Sequence, residues 1–212
     1  MSILTWGWRK ILLRTLAVIF IIYVALVIVR AYHFWIVDKT NVQVEKIHAT
    51  KLTLDDVMGK NLPPDPGAEA DKTVAGIDAN QNGIRDDVEL AIFKEYPNSA
   101  KTRAALLQYA LSLQMGVIQP IVNTITVDKV IGEQSRASFC IADSLVPRKT
   151  PESERSDTDI EKIDTFINFI EDRQFNTDGR KKMRRDFYKN LGNFANSIKN
   201  EECDIDYSQL SN

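Results

Sequence analysis

The chain opens on one long apolar run and then changes character, becoming a series of short amphipathic segments divided by polar breaks that carry proline or glycine. Residues 11–29, ILLRTLAVIFIIYVALVIV, are apolar apart from Arg14 and Thr15. At helical rise they cover about 28 Å, close to the roughly 30 Å hydrocarbon core of a bilayer. The run predicts a transmembrane anchor over residues 11–31, with a cytoplasmic N-terminus at 1–10. Arg14 is near enough to the start for its stem to reach the interface, and Trp6, Trp8, Tyr32 and Trp35 stand where aromatic belts form. Arg9, Lys10 and Arg14 precede the run, whereas Arg30 and Lys39 follow it with Asp38 nearby, so the positive-inside rule puts the remainder outside the cytoplasm. Two other readings compete: a signal peptide cleaved after Ala31, and a buried soluble helix. Length favours the anchor, because signal peptides usually carry about 7 to 15 apolar residues.

Residues 32–60 read as a polar juxtamembrane stalk with a short helix begun by Thr53, and residues 61–212 as the folded domain. Three prolines within residues 61–76, NLPPDPGAEADKTVAG, forbid a regular helix there. Val88, Ala91, Ile92 and Tyr96 then recur at helical spacing until Pro97 stops the run. Ser99 is placed to cap a second helix over residues 100–122, with Ala104, Leu107, Ala110 or Leu111, and Gln114 or Met115 on one face, and Pro120 is expected to kink or end it. A third helix fits residues 128–145, through Val130, Ile131, Ala137, Cys140 and Ile141. Beyond a polar connector, Thr158-Asp159-Ile160-Glu161 has capping-box form and opens a fourth, with Ile163, Phe166, Ile167 and Ile170 as its stripe. After a break at residues 176–179, a last helix over 180–200 carries Met183, Phe187, Leu191, Phe194 and Ile198. No useful alternating run occurs, so the expected class is all-α: an anchor helix plus a small helical bundle.

The densest chemistry lies in residues 78–89, DANQNGIRDDVE. Numbered from Asp78, oxygen donors fall at positions one, three, five, nine and twelve (Asp78, Asn80, Asn82, Asp86, Glu89), glycine at six and Ile84 at seven. A hard Ca²⁺ ion wants six to eight oxygens; Gly83 permits the sharp turn, Ile84 offers its carbonyl, and Glu89 can close the shell with both carboxylate oxygens. The alternative is an Asx-rich turn and helix start without metal, in which Asp86 and Asp87 complement the helix dipole. That alternative leaves Asp78 and Glu89 at their fixed separation unexplained.

The string resembles the calcium loops of the EF-hand and thrombospondin type 3 kind, closer to the latter in having its apolar residue at position seven followed by Arg85 and Asp86. The wider run over residues 62–113 resembles bacterial envelope proteins of unestablished function. This resemblance implies an inner-membrane location with the C-terminal domain in the periplasm, and Ca²⁺ as cofactor; it implies no activity. The coil before Asp78 has no helix to swing, so a structural ion rather than a switch is expected. Two neutral ligands point to weak affinity.

Charge and composition narrow the function further. Of 27 Lys and Arg, five precede Thr40, and of 29 Asp and Glu, one does, leaving 22 against 28 and a formal charge of −6 from Thr40 onward. Nucleic acid is therefore not an expected partner. Cys140 and Cys203, the only cysteines, fall in the exported part, where one disulfide is expected over two free thiols. His33 and His48 are the only histidines, which leaves a serine or cysteine nucleophile without a base in the domain and zinc without ligands. Arg180, Lys181, Lys182, Arg184, Arg185 and Lys189 form a basic cluster, read as a solvated face in preference to a site for an acidic partner or anionic lipid. No catalytic residues are assigned. The reading that results is a membrane-anchored, non-enzymatic envelope protein that binds a protein or envelope component. A carboxylate-dependent hydrolase of an envelope polymer is the alternative.

Overall fold

The computed structural model describes residues 3–150, 153–192, 203–207 and 210. Among them it is all-α, with helices α1 (Ile3–Ala49), α2 (Leu54–Val57), α3 (Asp86–Glu95), α4 (Ala100–Ile118), α5 (Thr124–Leu145), α6 (Asp157–Gln174) and α7 (Asp178–Tyr188), plus a 3-10 turn at Gly67–Asp71. The chain forms two compact units, Met1–Val42 and Gln43–Asn212.

In the first unit, the apolar stretch of α1 is exposed throughout: Leu16, Phe20, Tyr23 and Leu26 are all more than half accessible. Among the described residues α1 is the one helix long and apolar enough to cross a membrane, a property that an anchor and a signal sequence share. In the second unit, helical structure continues to Ala49, and the segment expected as a stalk contributes to the core. Gln43 is buried, and Ile47, Leu52 and Val57 join the hydrophobic cluster. Thr53 caps α2 through a capping box with Asp56.

Helix α4 is the centre of the domain. Sequence periodicity suggested one buried face, but 16 of its residues, from Ala100 to Val117, are buried on all sides. A helix surrounded in this way is a core helix, and its small residues admit close neighbours: a Cβ on Gly116 would meet Gln134 Nε2 at 3.2 Å and Phe187 Cε1 at 3.6 Å. Helices α2, α3, α5, α6 and α7 all pack against it. Ser99 caps it through Thr102, and it ends before Pro120, as Pro120 requires.

Three boundaries differ from expectation. Asn123 and Thr126 form a capping box that starts α5 at Thr124, four residues earlier than expected. Ser156 with Asp159 starts α6, two residues ahead of the box expected at Thr158. Helix α7 begins at Thr177 as cap and stops at Tyr188; beyond it, Gly192 N–H donates to Asp128 Oδ1 at 3.0 Å. Phe194 and Ile198 lie outside the described residues. Cys140 and Cys203 are joined in a disulfide, with Cα atoms 5.1 Å apart and 63 residues between them in sequence.

Candidate functional site

The loop at residues 78–85 is built by its own side chains. Asp78 accepts from Asn82 N–H (3.1 Å) and Gly83 N–H (2.9 Å), and Asn82 Oδ1 accepts from Ile84 N–H (2.9 Å). The Asn82–Ile84 bond is an Asx turn, and the Asp78 carboxylate spans four and five residues, so the backbone bends without a helix or ladder. Gln81 (φ 59°) and Gly83 (φ 84°) supply the left-handed steps. At Gly83 the requirement is doubled, since a Cβ there would also meet Leu111 Cδ1 at 2.7 Å. Ile84 is fully buried and plugs the loop into the core. Asp86 N–H donates to Ile77 O at 2.9 Å and begins α3.

All six expected ligands sit in or directly beside this turn. Among the described residues no group of three or more Asp, Glu, His or Cys side chains is gathered as a metal site. Asp86, fully buried, is turned to Ala79 N–H at 3.0 and 3.2 Å. Its carboxyl is pushed up, chiefly by burial, with Ala79 N–H opposing and the charges of Asp78 and Asp87 adding. Glu89 is 1% exposed. Asn80 Nδ2 donates to its Oε2 at 3.1 Å and to Asn61 O at 2.9 Å. Burial pushes Glu89 up to about 7; the amides of Asn80 and Asn82 pull it down, and Asp56 and Asp86 push it further up. Asn82 Nδ2 is buried and has no acceptor in hydrogen-bond geometry.

These observations test the chemistry of the donor set. A buried carboxylate with only amide partners lacks a counter-charge, and its neighbours are all oxygen-bearing side chains. A hard divalent cation fits that environment; a thiophilic one does not.

The loop is fixed to the domain by two buried arginines that sequence patterning did not single out. Arg85 is fully buried, pairs with Asp87 through Nε (2.7 Å) and Nη2 (2.5 Å), and donates to Gln174 O (3.0 Å) and Arg173 O (3.1 Å) at the end of α6. Helix ends leave such carbonyls unpaired, and a cation there is doubly favoured. A Cβ on Gly76 would strike Arg85 Cδ at 2.4 Å. Arg180, read in sequence as part of a solvated basic face, is also fully buried. It donates to Ala70 O (2.5 Å), Thr73 O (3.2 Å) and Val74 O (3.0 Å) and pairs with Asp71. The solvated reading holds for Lys181 and Lys182, which are exposed. Arg184 is committed within the domain, forking onto Glu171 at 2.9 and 2.8 Å.

A groove of about 590 Å³ lies beside this pair, lined by Glu171, Asp172, Phe175, Lys181, Arg184 and Arg185. Its Glu171 has both oxygens occupied, since Tyr109 OH adds a third bond at 3.0 Å. A second carboxylate cluster surrounds Arg136, which pairs with Glu133 (2.6 Å) and Asp204 (2.7 Å); His48 Nδ1 lies 3.1 Å from Glu133. Burial pushes Glu133 up, but the Arg136 guanidinium overcomes this and holds it below the usual range. Neither cluster presents two unengaged carboxylates. Compared with known protein families, characterised proteins and solved structures, the chain matches none.

Proposed function

We propose that the chain is a single-pass bacterial inner-membrane protein whose periplasmic helical domain, stabilised by Ca²⁺ at residues 78–89, binds a protein or an envelope component without catalysis. The observation that carries the calcium reading is Glu89, a carboxylate buried to 1% exposure at the twelfth position of the loop and balanced by amides alone. Asp78, Asn80, Asn82, the Ile84 carbonyl, Asp86 and Glu89 would hold the ion, which would supply positive charge and a structural staple. The exposed apolar length of α1 and the disulfide support an anchored domain in an oxidising compartment. A hydrolase needs a proton donor and a base facing one space. The groove at Glu171 supplies a carboxylate whose oxygens are already bonded, which favours binding over hydrolysis.

Affinity capture of the tagged full-length protein from detergent-solubilised membranes, in calcium and in chelator, tests this function. A partner retained in calcium and lost both in chelator and with Asp78→Ala supports it. Turnover of an isolated cell-wall polymer by the purified protein would replace it with the hydrolase reading.

A further inference from the structure

The basic cluster over residues 180–189 divides by what its members bond. Arg180 pairs with Asp71, Arg184 with Glu171, and Lys182 and Lys189 both pair with Asp186, at 3.0 and 2.7 Å. Lys181 and Arg185 remain. They stand four residues apart on α7, both are exposed, and among the described residues neither side chain has a hydrogen bond or an ion pair. With Arg184, these two are the members of the cluster that line the groove beside α6.

The other lining residues are already held. Arg184 and Glu171 neutralise each other through two bonds, and the Arg184 guanidinium lies 4.6 Å from the centroid of the Phe175 ring. Asn176 Oδ1 accepts from Arg180 Nη1 at 2.6 Å, and its Nδ2 donates to Asp71 at 3.1 Å. Groups fixed before a ligand arrives spare it the cost of ordering them. Three charges are left unanswered: Lys181 and Arg185 from α7, and Asp172 from α6, which is exposed and likewise has no partner among the described residues.

Those three charges define the chemistry of a ligand. Two cations one helical turn apart, with Cβ atoms about 5 to 6 Å from each other, ask for two anionic groups at a similar spacing. Alternate side chains of an extended peptide share one face and lie about 6.7 Å apart, so a carboxylate at every second residue meets both cations. Asp172 only accepts, and the backbone N–H groups of the same peptide are donors for it. A phosphate chain has no such donors, and both Asp172 and the formal charge of −6 from Thr40 onward oppose a dense polyanion. The groove's volume of about 590 Å³ is within the roughly 300 to 1,000 Å³ of ordinary ligand sites and holds a short segment.

We propose that the groove between α6 and α7 binds an extended acidic peptide segment of a partner protein. Lys181 and Arg185 pair with carboxylates at alternate positions of that segment, and Asp172 accepts from its backbone N–H. The proposal rests on the reading of the domain as a binding module, and it gives that reading a place on the fold and a partner chemistry.

The test uses the detergent-solubilised full-length protein and a fluorescein-labelled peptide of alternating glutamate and serine, read by fluorescence anisotropy. A peptide with glutamine in place of glutamate is the neutral control. Saturable binding of the acidic peptide, and none of the neutral one, is expected. Lys181→Gln with Arg185→Gln is expected to weaken binding about 25-fold, about 5-fold for each exposed ion pair lost. Lys182→Gln with Lys189→Gln removes as much charge outside the groove and is expected to weaken it less than about 2-fold. Equal losses from the two pairs would reduce the effect to the net charge of the helix and overturn the proposal, as would equal binding of the neutral peptide or no binding of the acidic one. Displacement by inorganic triphosphate at lower concentration than by unlabelled peptide would give the groove to phosphate chemistry and overturn it too. Membrane capture separates this proposal from the function beneath it. A partner retained equally by the wild type and by the Lys181→Gln, Arg185→Gln protein refutes the groove alone, whereas a wild type that retains no partner refutes the binding function.

Discussion

Asn80 Nδ2 donates a 3.1 Å hydrogen bond to Glu89 Oε2, joining the third and twelfth positions of the loop through an amide proton. A neutral amide answers a buried charge only in part, and the consequence is a dependence on pH. With Glu89 pushed up to about 7 from an ordinary 4.5, the folded state binds a proton that the unfolded chain has released. Stability from this group is therefore complete below pH 4.5 and is lost as pH rises through about 7. In chelator, raising the pH across that window is expected to cost up to about 3 kcal/mol, the free-energy equivalent of that shift. Glu89→Gln is expected to flatten the profile, measured by urea unfolding of the detergent-solubilised protein. Asp71, held low by its bond to Arg180, acts with opposite sign and only at lower pH.

Arg180 separates a buried role from a surface one. Arg180→Met leaves the carbonyls of Ala70, Thr73 and Val74 without their donor and is expected to destabilise the domain by about 3 kcal/mol. Lys181→Ala and Lys182→Ala are expected to stay within about 0.5 kcal/mol of wild type. Equal effects at all three positions in denaturant unfolding would contradict the distinction.

The disulfide ties Cys203 to α5 and holds a segment in which Asp204 N–H donates to Gln108 Oε1 at 2.9 Å and Asp204 accepts from Leu52 N–H at 3.0 Å. Cys140→Ser with Cys203→Ser is expected to cost about 2 to 4 kcal/mol, because the bridge restricts a long loop in the unfolded chain. Complete alkylation of both cysteines in denatured, unreduced wild-type protein would remove the basis for this expectation.

Much of this architecture is legible in sequence where the interactions are local. Thr53 and Ser99 announce their helices because a cap is a contact over three residues, and Gly83 announces its turn because only glycine tolerates both the dihedral and Leu111. The bonds that Asp78 and Asn82 accept within the loop are local in the same sense, spanning two to five residues. Arg85 and Arg180 were not legible, because their acceptors lie about 90 to 110 residues away and are backbone carbonyls, which carry no sequence signature. The burial of α4 on every side was hidden by its polar members: Gln108 and Ser112 look like solvent positions until Asp204 and Tyr109 meet them. The contribution of Ile47, Leu52 and Val57 to the core was hidden by the charged residues between them.

The charges on either side of the apolar run of α1 predict an orientation. A reporter active only outside the cytoplasm, fused after Asn212, is expected to be active, because Arg9, Lys10 and Arg14 outnumber the cations that follow the apolar run. Activity of a cytoplasm-only reporter at the same junction would reverse the orientation and with it the compartment in which calcium is available.

The central claim is that residues 78–89 bind calcium, and the most direct test is the thermal midpoint of the detergent-solubilised protein with and without the ion. An ion bound only by the folded loop adds about 1.4 kcal/mol at ten times its dissociation constant. For a domain of this size that corresponds to a rise of roughly 3 to 6 °C. Millimolar calcium is expected to produce that rise, magnesium much less, and Asp78→Ala and Glu89→Ala are each expected to abolish it. A midpoint that millimolar calcium leaves unmoved would reduce the loop to an Asx-built helix start and contradict the account.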